Sequence, residues 1–443
     1  MSIQRKSWII LLCLLAGLSS QAQQVISYHE HIAPIILHNC TPCHRDQGGA
    51  PFALTTYDEV ARRGPFIQYV TEKGNMPPWK PNPEYRHFVG EKVLSKEELQ
   101  LIVSWVEQGM PKGKRKPKKK PLVLLPAEPL PDMVLKMKAP VRIPGNNQST
   151  YICYKIPYEL PADTFGAAIR FVPGNKQLAH HASCQLFALA EGADPVSSPD
   201  FFYYTDSTRI DDAHDFSFFN MVGKDGRYPE ETLHFGWLPG SSVQEYGKGI
   251  GYRIPRKGVL LIRNYHYGPT PIAQEDQAEV HFFFAKEKVS RMIQFAAFKP
   301  KRLFSDSTEW KIPADSMVEH WVKVKFHDRI SLIAINPHMH LLGRYVKVYV
   351  VTPSQDTIPL IEIKDWDFNW QDFYRFQTMV DIPKGSILYA KGIFDNTAAN
   401  IRNPFRPPQP VYFERGMDDT DEMLRLVLLY LPYKEGDETL SLE

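Results

Sequence analysis

Tyr345-Val346-Lys347-Val348-Tyr349-Val350 places a valine at every second position. In an extended chain such alternation puts the three valines on one face, which is how a half-buried β-strand is built. Trp321-Val322-Lys323-Val324-Lys325-Phe326 repeats the pattern, with lysines on the outer face. Val259-Leu260-Leu261-Ile262 is apolar throughout, as a more deeply buried strand should be. Turn residues recur between such runs from about residue 130 onward, and the 37 prolines of the chain argue against long helices. The region is predicted to be all-β, sandwich or jelly roll. A chain of 443 residues is too long for one ordinary compact domain, and its β region accommodates two sandwiches. We expect them at 130–287 and 288–443.

Upstream the pattern changes. Residues 24–110 read as helical. Ser95-Lys96-Glu97-Glu98 is a capping box, Leu99, Ile102, Val103 and Val106 follow at helical spacing, and Gly109 ends the run. Lys112-Gly113-Lys114-Arg115-Lys116-Pro117-Lys118-Lys119-Lys120-Pro121 then combines like charges with proline, so 111–129 is expected to be a solvated, extended linker. A net charge of +2 and 43% hydrophobic residues exclude a disordered chain and a nucleic-acid binder. Residues 1–22 carry Arg5 and Lys6, an apolar run Trp8–Leu18 too short to span a bilayer, and Ser20-Gln21-Ala22. That is the pattern of a secretory signal peptide, which implies a periplasmic or secreted protein with no transmembrane segment after cleavage.

Cys40-Thr41-Pro42-Cys43-His44 is a haem-attachment sequence. Positions i, i+3 and i+4 share a helical face, so two thiols can bond the haem edge while His44 reaches the iron. Met76, followed by Pro77 and Pro78, is the expected sixth ligand, and Met110 is its rival. A redox dithiol or half a zinc site are the other readings of the cysteine pair. The segment, including Leu101-Ile102-Val103-Ser104-Trp105-Val106-Glu107-Gln108-Gly109, resembles a small bacterial cytochrome c, which implies one covalent haem c.

The β region holds further metal-ligating residue types in His180-His181, His266, His338-Met339-His340 and Met423. Strand residues two apart point the same way, so His338 and His340 can reach one metal, and a thioether from Met423 favours Cu(I) over zinc. Adjacent strand residues point opposite ways, so His180 and His181 can share a metal only at a strand end or a bulge. With Thr150-Tyr151-Ile152-Cys153, His266-Tyr267-Gly268, His338-x-His340-x-x-Gly343 and Asp421-Glu422-Met423, this order resembles the copper type II, ascorbate-dependent monooxygenase family across residues 130–443. The family's known members hydroxylate peptidylglycine or dopamine.

The resemblance implies two jelly-roll domains facing a solvent-filled cleft. It implies an electron-transfer copper on His180, His181 and His266, and an oxygen-binding catalytic copper on His338, His340 and Met423. The expected partners are O2, a small-molecule or peptide substrate, and an external electron donor or respiratory cytochrome. The chain departs from peptide-hydroxylating members at Asn336, Arg425, Val427 and Asn264, where the family carries arginine, asparagine, tyrosine and glutamine. The alternative to a monooxygenase is a non-catalytic, exported copper-binding or electron-transfer protein. Cys153 and Cys184 form an even pair that a disulfide would join in an oxidising compartment; two buried free thiols are the other reading.

Overall fold

The computed structural model describes residues 24–46, 48–114, 129–204, 212–241, 243–298, 311–412 and 421–442. The leader at 1–22, with Cys13, and the greater part of the basic linker lie outside the described residues. Among the described residues no helix is long and apolar enough to cross a membrane.

The N-terminal part is helical. A wide turn at Tyr28–Ile32 runs into the helix Ala33–Asn39, followed by helices Tyr57–Ala61, Gly64–Glu72 and Lys96–Glu107. Two of them start on capping boxes, Thr56 with Glu59 and Ser95 with Glu98, which satisfy otherwise orphaned backbone N–H groups. Gly109 adopts a φ of 77°, the left-handed conformation that ends a helix cheaply in glycine. Ile32, Ile36, Val60, Ile102 and Trp105 form the small core.

Between the last two helices the chain does something the periodicity does not announce. Asn82 N donates to the Glu362 carbonyl at 2.7 Å, and Val89 N donates to the Arg375 carbonyl at 2.8 Å. Isolated bridges pair Pro81 with Ile363 and Phe88 with Phe376. Phe88 is only 1% exposed and sits in the core of the C-terminal β region, against Tyr374 and Phe376. Residues 81–89 therefore strap the helical segment to the far end of the chain, rather than completing a self-contained helical unit.

The rest folds as β-sandwiches. One sheet of the first runs in the order Met133–Lys136, Glu279–Phe284, Thr164–Val172, Ile250–Ile254, Arg291–Met292. Its other sheet runs Phe201–Tyr203, Thr150–Glu159, Lys257–Tyr267, Ala179–Ala188, Glu230–Trp237. The second sandwich sets Gln294–Phe298, Arg425–Pro432, Ile330–His338 and Tyr374–Ile382 against Met317–Lys325, Ile387–Asp395, Gly343–Val351 and Thr357–Ile363. The chain changes sandwich between Met292 and Gln294.

The strand Arg425–Pro432 explains how the halves meet. Val427, Leu429 and Leu431 belong to the core of the first sandwich, whereas Leu426 and Leu428 belong to that of the second. With a side-chain period of two, this strand is buried on both faces. The inner sheet of the second sandwich therefore packs directly on the first along this strand, and a small gap between the two sandwiches is lined by residues of both, among them His181, Asn264, Asn336 and His338. The disulfide expectation is also corrected. Cys153 and Cys184 are free and buried on the strands flanking Lys257–Tyr267. Two inter-strand spacings, about 9–10 Å, exceed the ~7 Å limit for a bridge. The thiols also face opposite ways: Cys184 lies in the sandwich core, and Cys153 among Phe187, Phe202 and Phe216 outside it.

Candidate metal centres and cofactor cavity

His180 and His181 lie on Ala179–Ala188, and His266 lies on its neighbour Lys257–Tyr267. The ladder between them slips twice. Arg263 pairs with Ser183, His266 with His181, and Tyr267 with Ala179, so one residue is extra on each strand in turn. The first slip passes through Asn264, whose φ is 46°; the second makes His180 the bulged residue. Bulging breaks the alternation that would point His180 and His181 apart. Both rings consequently pack on His266, with centroids 4.8 and 4.9 Å away. Tyr151 stacks on His266 at 4.2 Å. Gly268 is needed beside them, because a Cβ there would come within 2.7 Å of His180 Nε2.

Burial lowers the basicity of all three rings, His181 to about 3, where the neighbouring His180 adds to the effect. They are neutral at ordinary pH, and their lone pairs are available. His181 hydrogen-bonds the Asn264 backbone. His180 Nδ1, His181 Nε2 and both ring nitrogens of His266 are buried without a hydrogen-bond partner. Buried polar atoms are rarely left so, and each orphan calls for an explanation such as an ion. Imidazole nitrogens suit copper.

The second group is built differently. His338 ends the strand Ile330–His338, opposite Arg425 in the antiparallel register. Continuing that register past the strand end brings His340 opposite Met423. The buried Glu422 carboxylate enforces the approach, accepting from His340 N at 3.0 Å, Leu342 N at 2.6 Å and Met423 N at 3.0 Å. Burial pushes its pKa up to about 8, against these backbone donors, which pull it down. His340 Nδ1 donates to the Asp421 carbonyl at 3.0 Å, and His338 Nδ1 is bonded to Gln371 Oε1. Both Nε2 atoms then face each other at 3.1 Å. With each Nδ1 committed as a donor, two lone pairs oppose one another in the neutral rings, and a cation between them resolves the opposition. Burial, then His340, hold His338 well below the usual histidine range. Phe368 lies between the two groups, its ring centroid 6.1 Å from His181 and 5.5 Å from His340. A chamber of about 70 Å³ is lined by residues of both groups and their neighbours, including His181, Asn264, His338 and Arg425. Among the described residues no three His, Cys, Asp or Glu side chains already stand close enough to hold an ion, so the three rings of the first group must turn toward a common point to do so.

Residues 312–437 match the family model for the C-terminal domain of copper type II ascorbate-dependent monooxygenases. The matched span contains His338, His340 and Met423, and copper is the metal expected of that family. His180, His181 and His266 lie outside it. No curated protein matches the chain. Among solved structures the chain is similar to the infectious bursal disease virus Gx strain structure, at 8% identity over 71% of this chain and 77% of that one, with a TM-score of 0.17. It is also similar to the STIV MCP, at 10% identity over 69% and 95%, TM-score 0.23, and to PNGF-II, at 11% over 64% and 60%, TM-score 0.22. Likenesses this remote carry no structural argument.

The third constellation surrounds a largely apolar cavity of about 460 Å³, within the range of cofactor sites. Cys40 follows the helix Ala33–Asn39. His44 N donates to the Cys40 carbonyl at 2.8 Å, so the motif is wound as one helical turn. His44 Nδ1 donates to the Phe52 carbonyl at 3.0 Å, which aims Nε2 away from the backbone. Burial pushes the Cys40 thiol up to about 12, with Cys43 adding to it. Cys40, Cys43, His44 and Met76 all line the cavity. Met110 packs in the helical core against Gly64, where an added Cβ would meet its sulfur at 2.3 Å. The far wall comes from the β region, through Pro239, Trp370 and His180. His180 is thus common to this cavity and the first histidine group. Phe368, Trp370, Gln371 and the strap carry no motif. Of the site residues that sequence reasoning passed over, Glu422, Tyr151 and Gly268 had a signal, their places in Asp421-Glu422-Met423, Thr150-Tyr151-Ile152-Cys153 and His266-Tyr267-Gly268.

Proposed function

We propose that the chain is an exported copper-dependent monooxygenase that hydroxylates a substrate C–H bond with O2, its electrons entering through a covalent haem c. The observation that carries this reading is the opposed His338 and His340 Nε2 pair, 3.1 Å apart, inside the span that matches the monooxygenase domain. His338, His340 and Met423 would hold one copper, and His180, His181 and His266 the other. Copper in these positions supplies one-electron chemistry and dioxygen activation. Cys40 and Cys43 would bond the haem, with His44 and Met76 as axial ligands. The protein's own contribution is positional. Gln371 and the Asp421 carbonyl hold the two imidazoles, and Glu422 ties the backbone of Met423 to that of His340. His180 gives the haem cavity and the first histidine group a shared wall, which supports electron passage from haem to that copper and then to the second. An external donor would reduce the haem.

Stopped-flow mixing of pre-reduced, copper-loaded protein with O2 and candidate substrates tests this. Haem should reoxidise during turnover, with two coppers per chain, and His180→Ala should block reoxidation while leaving haem reduction by external donors intact. Reoxidation equally fast in copper-free protein would reject the route, and tighter zinc than Cu(I) binding under reducing conditions would reject the monooxygenase.

A further inference from the structure

The loop between the strands Thr357–Ile363 and Tyr374–Ile382 touches every constellation described above. Trp370 is in the wall of the apolar cavity, Phe368 stands between the histidine groups, and Gln371 meets His338. It is held from several sides. Asn369 N bonds Asp367 Oδ1 at 3.0 Å and Trp370 N bonds the Asp367 carbonyl at 2.9 Å. Asn336 Nδ2, on the histidine-bearing strand, donates to the Asp372 carbonyl at 2.8 Å.

Within this frame the Gln371 amide has one allowed orientation. Its Nε2 donates to the Phe368 carbonyl at 2.6 Å, and a carbonyl can only accept. The amide oxygen must therefore be the atom that faces His338 Nδ1, and that oxygen can only accept as well. His338 is forced to carry its proton on Nδ1, and Nε2 is left with a bare lone pair aimed at His340 Nε2. Metal-ligating histidines are commonly oriented through the other ring nitrogen in this way.

We propose that Gln371 is a positioning residue that fixes the tautomer of His338 and so presents its Nε2 for metal binding, the identity of that metal resting on the copper reading above. The Phe368 carbonyl acts through Gln371 by fixing which end of the amide is turned to the ring. Gln371→Leu removes the acceptor and frees the ring to move its proton. Gln371→Glu keeps an acceptor for the His338 ring, although the oxygen that replaces Nε2 loses the hydrogen bond to the Phe368 carbonyl and must turn from it.

The test uses full-length protein with 15N-labelled histidine, metal-free and then Cu(I)-loaded. Nitrogen NMR should show His338 protonated on Nδ1 in the wild type and in Gln371→Glu, but mixed or Nε2-protonated in Gln371→Leu. Cu(I) competition against a chromophoric chelator should show one of two sites weakened about 10–100-fold in Gln371→Leu, with the other unchanged and Gln371→Glu near wild type. An unchanged tautomer and affinity in Gln371→Leu would overturn the proposal, as would equal losses in the two variants, since those would reflect a damaged loop. A tautomer that follows Gln371 in a wild-type protein that binds no Cu(I) would uphold the positioning role and reject the copper reading instead.

Discussion

Truncating Phe88 to alanine separates a strapped helical segment from a tethered one. Phe88 comes from the N-terminal part of the chain yet is 1% exposed in the core of the second sandwich, with Tyr374 and Phe376 rings 5.5 and 5.4 Å away. Loss of about 150 Å² of buried apolar area at ~25 cal/mol per Å² corresponds to roughly 4 kcal/mol. Measured Phe→Ala changes in cores fall at about 3–5 kcal/mol, the cavity left behind adding to the transfer cost. For a domain of this size that is a drop of about 8–16 °C in Tm. The assay is urea unfolding of wild type, Phe88→Ala and Val93→Ala, followed by circular dichroism. Val93 is 40% exposed, so its truncation should cost no more than about 0.5 kcal/mol. Releasing the strap should also loosen the wall that the β region contributes to the apolar cavity, and haem reoxidation should slow in Phe88→Ala under conditions where it remains folded. A Phe88→Ala stability within about 1 kcal/mol of wild type would refute the buried-strap reasoning.

Two further outcomes are expected. On the proposed haem reading, Met76→Ala should abolish the methionine–iron absorption while Met110→Ala leaves it, because Met76 lines the cavity and the Met110 sulfur is packed on Gly64; the opposite pattern in visible spectra would exchange their roles. Burial raises the Asp372 carboxyl to about 6, above its ordinary 3.8, so the folded state binds this proton more tightly than the unfolded one. Its contribution to stability is therefore lost as pH rises between about 4 and 6. Asp372→Asn should gain on wild type across that window and hold a constant advantage above it, which denaturation at stepped pH would show; an advantage independent of pH would point to another cause.

Much of this molecule is built from local features, and those are legible in the amino-acid order. Capping boxes and apolar periodicity place the helix Lys96–Glu107, and valine alternation places Gly343–Val351, because a helix or strand face is set by neighbours within a few residues. His338 and His340 share a side for the same reason. Cys40, Cys43 and His44 need only one helical turn. Where tertiary packing overrides local periodicity, the sequence is silent. His180 and His181 gather on His266 only because the ladder slips twice, and a bulge has no periodic signature. Cys153 and Cys184 look like a pair until the sheet puts a strand between them and turns them to opposite faces. The run Leu426-Val427-Leu428-Leu429 announces burial on both sides, but not that one side is the other sandwich. Phe88 and Gln371 carry no signal at all: each acquires its role from a partner 288 or 33 positions away in the chain, a proximity created by the fold. The sequence determined the residue types and short spacings on which the haem and copper readings rest; the tertiary structure alone decided that the cavity, both histidine groups and the loop Asp367–Gln371 adjoin, because only long-range packing brings separate strands and a strap to one place.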